Sequence, residues 1–389
     1  MYSTIDKTLF GSVMALFTLS LILTYSLSEY ATLYYGYDDF RFLVRQAFAI
    51  ALGIALIVGL SRLDPDRWFV LLGFGIFLFF FLTIIVMPFL PEPLVKSALG
   101  AKRWIHIGPI SAAPTEFFKV GFVFFLAWSF SRKILQSGPM SLKHETRSIL
   151  PYLLVFGVAV ILVTVFQNDL GQVLVMAATF LILLVFAGRS LKLFALLLSL
   201  GVIGSIGLIW MEPYRRARIV SWWSTVQDNF LQFFPRHLVG RLRVDAAEEP
   251  YQIANSLNAI HNGGFWGQGL GNGQFKLGYL SEVHTDFILS GMTEELGYVA
   301  LAVVTGLVLL IVFRLFKIAA SVENPTYYLF TTGVGLLILF AFVVNSYGIA
   351  GITPVKGIAV PFLSYGGSQI LANSLAIGMV LMISKRRTP

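Results

Sequence analysis

The sequence contains no cysteine, so neither a disulfide nor a thiolate metal site is open to it. Charge is nearly as scarce. Asp, Glu, Lys and Arg make up 12% of the 389 residues, about half the ~25% typical of a soluble domain, which excludes water as the main solvent. No internal repeat is visible, nor any pair of interrupted helices of the kind that marks many secondary transporters. No strand precedes the glycine-rich stretch at 263–273, which excludes a dinucleotide-binding fold. Nothing resembles a nucleic-acid module. The net charge of +8 is therefore assigned to membrane topology and anionic headgroups. A cleavable leader is not expected, because the apolar run after Lys7 is long enough to span and has no small-residue cleavage site.

What is present is apolar. Hydrophobic residues make up 57% of the chain, 35 of them phenylalanine, and the mean hydropathy is +0.79. A bilayer core takes roughly 20 apolar residues per helix. Ten segments qualify, at about 8–28, 43–60, 69–90, 116–131, 149–166, 170–187, 191–211, 287–313, 327–346 and 368–384. The expected class is an all-α polytopic integral membrane protein of about ten transmembrane helices. An even number of spans puts both termini on one side. Fourteen basic residues then fall on the side of the termini, Lys7, Arg62, Arg132, Arg189 and Lys385 among them, against seven in the short loops and helix mouths opposite. The positive-inside rule makes the termini cytoplasmic. The 212–286 segment becomes one large extracytoplasmic loop between spans seven and eight, within a single transmembrane domain covering 1–389. Trp222, Trp223, Phe230, Phe233, Phe234 and Trp266 give that loop too much apolar area for disorder. It is expected to lie at the interface or pack on the bundle, partly as an amphipathic helix.

Five polar constellations gather on the outer side. The first joins Lys102 and Arg103 to Glu116 and Lys119, whose spacing of three puts them on one helix face. Interfacial anchoring and phosphate neutralisation by Arg103 and Lys119 are both open. Gln167-Asn168-Asp169-Leu170-Gly171 is a tight turn, and Asp169 reads as structural. Glu212 precedes Arg215, Arg216 and Arg218, a cluster suited to bidentate phosphate contacts or to headgroups. The glycine-rich 263–273 stretch leads to Lys276, then to His284, Thr285 and Asp286 at the mouth of an apolar span. Asp286 has two readings, general base and helix N-cap. The last constellation breaks helix at Pro354, Pro361, Gly366 and Gly367 and carries Lys356 and Ser364. Such backbone is tolerated at membrane depth where it lines a polar cavity.

Taken together, the motifs resemble those of the SEDS family (shape, elongation, division and sporulation) of polytopic peptidoglycan glycosyltransferases. They are Lys102-Arg103-Trp104-Ile105, Pro114 to Lys119, Gln167 to Gly171, Glu212 to Arg218, His284 to Ile288, Glu294 to Gly297 and Pro361 to Ser368. Gly269 to Gly273, Lys276 and Pro361 to Tyr365 are more similar to the division branch than to the elongation branch. Ser281 stands where the family commonly has proline, and Ala113 where it commonly has glutamine. Neither position carries the proposed chemistry.

The resemblance implies polymerisation of lipid II, a disaccharide-pentapeptide on undecaprenyl pyrophosphate, with Asp286 as the catalytic carboxylate acting in an inverting displacement. Arg103, Lys119, Arg215, Arg216, Lys276 and Lys356 would counter the pyrophosphate, and Glu116, Glu212, His284 and Ser364 complete the expected substrate site. A divalent cation, Mg or Mn, could share the work, although no ligand spacing demands one. The implied partners are lipid II, membrane lipid, a class B penicillin-binding protein transpeptidase and other division proteins. No segment has transpeptidase character, and nucleic acid is not expected. The implied location is the bacterial inner (plasma) membrane at the septum. The rival readings are a lipid II flippase, a non-catalytic division scaffold and an elongation-type polymerase.

Overall fold

The computed structural model describes residues 5–38, 40–95, 101–108, 110–133, 141–244, 251–354 and 357–386. Each of the ten expected spans is a helix. In chain order the helices are α1 (Lys7–Leu27), the short α2 (Glu29–Tyr35), α3 (Arg41–Arg62), α4 (Pro65–Val86), α5 (Pro114–Lys133), α6 (Leu142–Ile161), α7 (Leu170–Phe186) and α8 (Leu191–Met211). After them come α9 (Pro213–Leu231), α10 (Arg236–Leu242), α11 (Tyr251–Gly263), α12 (Ile288–Ala320), α13 (Pro325–Ile349) and α14 (Gly367–Ile383). Eight are long and apolar enough to cross a bilayer on those grounds alone. The other two expected spans are α7, with 17 residues, and α5, which carries Glu116, Lys119, Arg132 and Lys133. Among the described residues the only strands are β1 (Ile105–Ile107) and β2 (Ile110–Ala112), a small antiparallel pair before α5.

Local chemistry sets the helix starts. Asp6 caps α1 by accepting from the Leu9 amide at 2.9 Å. Asp64 caps α4 ahead of Pro65, and Asn324 caps α13 ahead of Pro325, because proline at the first turn lacks only a donor that would be unpaired anyway. Side-chain oxygens of Asp169 and Ser190 cap α7 and α8.

The spans alternate, so the chain has two polar faces. One collects the ion pairs Asp6–Arg314, Glu145–Arg189 (3.9 Å) and Asp66–Arg386. The other carries α2, the β-pair, the 167–169 turn, the long 212–286 segment and the 350–366 segment, and is called the loop face below. Between them lies an apolar core dense in aromatic rings: Phe77 stacks on Phe125 at 4.6 Å, and Phe69 meets Phe124, Tyr327 and Phe330 edge-on at 5.1–5.2 Å. Lipid tails compete with apolar side chains as well as other helices do, so close backbone approach carries much of the specificity. Gly121 supplies it between α4 and α5: a Cβ there would stand 2.6 Å from the Phe77 Cα.

The long 212–286 segment packs on the bundle, as one of the two expected placements has it. Helix α11 lies against α12, with Ser256 Oγ 2.7 Å from Ser290 Oγ and donating to the Ile349 carbonyl at 2.9 Å. Trp222 in α9 donates to the Gly351 carbonyl at 2.7 Å. Helix α12 has 33 residues, ~50 Å of helix against a ~30 Å core, and it breaks at Gly297 (φ 76°, ψ −179°). The break is filled by the glycine-rich loop: the Gln268 and Gly269 amides donate to the Glu294 and Glu295 carbonyls at 2.9 Å, and the Tyr298 amide donates to Gly264 at 3.0 Å.

Candidate active site

Asp286 closes a run of turns before α12. Its amide donates to the Glu282 carbonyl at 3.1 Å. The residue that caps α12 is Phe287, and no side chain caps that helix. The N-cap reading of Asp286 therefore does not apply. The backbone around it is clamped by residues from other elements. Asn345 in α13 donates to both the Asp286 and Ile358 carbonyls at 2.6 Å. Ser364 Oγ donates to the Thr285 carbonyl at 2.6 Å, and the Tyr365 amide to the His284 carbonyl at 3.0 Å. The carboxylate lies over Gly357, where a Cβ would stand 3.0 Å from Oδ2 and where φ is +63°. The small hollow around it is lined by Val344, Asn345, Gly348, Ile349, Gly357 and Ile358.

Burial raises the Asp286 pKa to about 7, with Glu282 and Asp169 adding to the rise and Arg103 and Arg218 opposing it. Those four charges come from three separate stretches of the loop face, so Asp286 shares one electrostatic cleft with them. Asp169 accepts from the Gln172 amide at 3.2 Å and stands 3.9 Å from Arg103. Its pKa is raised by burial against the pull of Arg103. Arg103 also donates to the Gln167 and Asn168 carbonyls at 2.7 and 2.9 Å.

The spacing of Glu116 and Lys119 does produce a pair, at 2.9 Å. Gln172 closes a ring with them, accepting from Lys119 at 2.6 Å and donating to Glu116 at 2.7 Å. This ring lines a second small hollow, together with Ile358, Pro361, Gln369 and Asn373. Ile358 borders both spaces.

The remaining expected site residues divide clearly. Arg215 donates to the Leu208 and Thr164 carbonyls at 2.9 and 2.7 Å, tying α9 to the π-turn Leu162–Phe166 that ends α6. Arg216 and Glu212 are exposed beside it. His284 is buried against Phe42 and Tyr365, with ring centroids 5.1 and 5.5 Å apart. Burial lowers its pKa although Glu282 pulls the other way. Ser364 is fully buried and holds backbone. Lys276 is not brought to the cleft: its ammonium is enclosed among Glu29, Glu295 and two carbonyls. Lys356 lies outside the described residues.

Three residues of the site were not singled out by the sequence. Asp169 read as a turn residue, Arg218 as one arginine of a cluster, and Asn345 not at all, although a polar side chain in an apolar span is itself a signal. Among the described residues no group of three or more His, Cys, Asp or Glu converges as a metal site.

The family model described as "Cell cycle protein" (FtsW, RodA, SpoVE) matches residues 6–388. The chain belongs to this family. The "Probable peptidoglycan glycosyltransferase FtsW" of Helicobacter pylori is 46% identical over 383 residues, which cover 98% of this chain and 99% of that protein. The protein of the same name from Nitrosomonas europaea is 33% identical, over 97% of this chain and 92% of its own length. Among solved structures, a chain from a peptidoglycan synthase complex that coordinates polymerization and crosslinking superposes with a TM-score of 0.70 at 24% identity, covering 98% of this chain and 97% of that one. The rod shape determining protein RodA of Thermus thermophilus superposes with a TM-score of 0.63 at 24% identity, covering 99% and 98%. These two likenesses establish the fold.

Proposed function

We propose that the chain is a peptidoglycan glycosyltransferase of the division type, polymerising lipid II with Asp286 as general base. The relatives named FtsW, similar over nearly their whole length, support the activity. The observation that carries the mechanism is the Asp286 carboxylate, clamped by its backbone, with its pKa raised by burial to about 7. A sugar hydroxyl is a weak nucleophile, and a base whose pKa lies near the working pH serves it best. The hydroxyl oxygen of one lipid II bonds to the anomeric carbon of the growing chain from the face opposite its pyrophosphate. The C–O bond to that pyrophosphate breaks, its electron pair leaves with the phosphate oxygen, and the hydroxyl proton passes to Asp286. One displacement gives inversion.

Developing charge on the leaving pyrophosphate needs fixed cations. Arg103 and Arg218, which act on the Asp286 charge, are the best placed, with Lys119 and exposed Arg216 as further contacts. Lys276 has no donor to spare and is left out of this set. Mg or Mn bound here would rest on Asp286 or Asp169 and take its other ligands from substrate phosphate oxygens and water, as Mg commonly does.

The same reading makes the loop face extracytoplasmic and both termini cytoplasmic, places the chain at the septum and treats 212–286 as the large outer loop of a single transmembrane domain. The structural neighbour drawn from a synthase complex supports a class B penicillin-binding protein as partner. The flippase reading fits less well. On the face opposite the cleft, the charges Asp6, Arg314, Glu145 and Arg189 are held in mutual pairs instead of continuing a polar path across the bundle.

Purified protein supplied with labelled lipid II and the partner should form glycan strands. Asp286→Asn should lower the rate by about 10²- to 10⁴-fold, the usual worth of a general base, while the protein still folds. Undiminished polymerisation by that variant would remove Asp286 from the mechanism. Translocation across vesicles without any polymerisation would favour the flippase.

A further inference from the structure

Among the described residues Lys276 is the most enclosed basic side chain, with 1% of the side chain exposed. An ammonium has three donors. Here they face four acceptors: Glu29 Oε2 at 2.8 Å, Glu295 Oε1 at 3.1 Å, the Gly271 carbonyl at 2.8 Å and the Ser26 carbonyl at 3.1 Å. These come from four places, namely α2, the first part of α12, the glycine-rich loop and the end of α1. Glu295 is itself fully buried and takes a second hydrogen bond from Ser26 Oγ at 2.6 Å. Its neighbour Glu294 accepts from Asn262 Nδ2 at 2.9 Å and from the Gln274 and Phe275 amides at 2.8 and 3.2 Å. Residues 264–287 contain no regular helix or strand, so these carboxylates and Lys276 fix the 271–276 part of the irregular stretch that leads to Asp286.

We infer that Lys276, Glu295 and Glu29 form a positioning latch that sets where Asp286 stands, and that Glu29 is its outward-facing arm. Lys276 acts through the 271–286 backbone and does not touch substrate. The two ends of that stretch are anchored differently. At the Asp286 end the anchors are neutral hydrogen bonds from Asn345, Ser364 and Tyr365. At the Lys276 end they are ionic and desolvated, where a lost partner is felt most strongly. Burial pulls the Lys276 pKa down, but Glu29 and Glu295 outweigh it and the net shift is upward. The ammonium therefore keeps its charge across the physiological range. Glu29 differs from Glu295 in being half exposed, with 51% of its side chain accessible. The next residue, Tyr30, packs its ring against the loop at Gly278, where a Cβ would stand 2.8 Å from it. Helix α2 therefore contacts the 271–286 stretch at two points, one ionic and one steric. Whatever shifts α2 acts on the segment that carries the base.

The inference rests on Asp286 being the base, so the test runs Asp286→Asn in parallel. Purified full-length enzyme with its partner is assayed for lipid II polymerisation, reading kcat and KM separately, together with the pH profile and thermal midpoint. Glu29→Gln removes only the exposed arm and should fold normally. Its kcat should fall by about threefold or more with KM little changed, the split expected when the reacting group and not ground-state binding is disturbed, and the acidic limb of its profile should move. Lys276→Met alone strands the Glu295 charge and is expected to fold poorly. Lys276→Met combined with Glu295→Gln removes both charges, and should recover the thermal midpoint without recovering kcat. The inference is overturned if that double variant regains full kcat, if Glu29→Gln leaves kcat and the pH limb unmoved, or if the losses lie in KM and in inhibition by undecaprenyl pyrophosphate, which would make Lys276 a phosphate ligand. An active Asp286→Asn enzyme would instead sink the reading of the site on which this inference stands.

Discussion

A carboxylate earns a role as base from its surroundings, and those of Asp286 are specific. The side chain lies over a glycine in a left-handed conformation, with two carboxylates and two arginines acting on its charge. Two outcomes follow at this scale. As the proposed base Asp286 acts in its ionised form, and burial raises its pKa to about 7, so kcat/KM should rise with pH through neutrality and level off above it. A profile already flat from pH 5 would contradict that. Gly357→Ala adds a methyl 3.0 Å from Oδ2 at a φ of +63°. Small misplacements of a reacting group cost up to about 10²-fold, so kcat should fall roughly tenfold or more while KM is kept. Stopped-flow or gel-based polymerisation assays read both. The residues of the cleft were unequally legible. Asp286 was visible as a carboxylate at a span mouth, but setting the cap reading aside needed the structure, which gives the cap position to Phe287. Lys276 shows the opposite case: its sequence context of glycines and acids looks solvent-facing, and only the packing of α1 and α2 encloses it.

At the scale of the elements, ten apolar runs became ten helices because length and hydropathy decide that question almost alone. What those runs could not convey was interruption. The break of α12 at Gly297 follows Glu294 and Glu295 in an otherwise apolar run, and it is held because the glycine-rich loop supplies hydrogen-bond partners to the freed backbone groups. Residues more than 20 apart in sequence must meet for that, so the polar residues beside Gly297 do not by themselves fix the break. The contact between α4 and α5 is equally non-local. Gly121→Ala would drive a methyl to 2.6 Å from the Phe77 Cα, and overpacking of this sort costs about 1–3 kcal/mol. Its thermal midpoint in detergent should fall, whereas Gly11→Ala, with open space around its Cβ, should leave the midpoint nearly unchanged. Equal midpoints for the two variants would show that the α4–α5 contact is not tight.

For the whole molecule, the basic residues favour cytoplasmic termini, and the structure separates a face of mutual ion pairs from a face bearing the cleft. The chain's lack of cysteine makes the orientation directly accessible to experiment. A single cysteine at exposed Ser281 on the loop face should react with a membrane-impermeant thiol reagent in whole cells with the outer membrane opened. One at exposed Ser141, on the opposite face, should react only after lysis. The reverse pattern would invert the topology. The separation of faces also explains why one carboxylate can matter so much. On the proposed reading the reacting groups lie at one end of the bundle, where a lipid-linked substrate in the outer leaflet can present its sugar without leaving the membrane. The central claim is that Asp286 takes the proton of the attacking hydroxyl. Its most direct test is the rate of lipid II polymerisation by folded Asp286→Asn protein, assayed together with the proposed transpeptidase partner. The expected result is loss of about 10²- to 10⁴-fold with lipid II binding retained; polymerisation at the parent rate would contradict it.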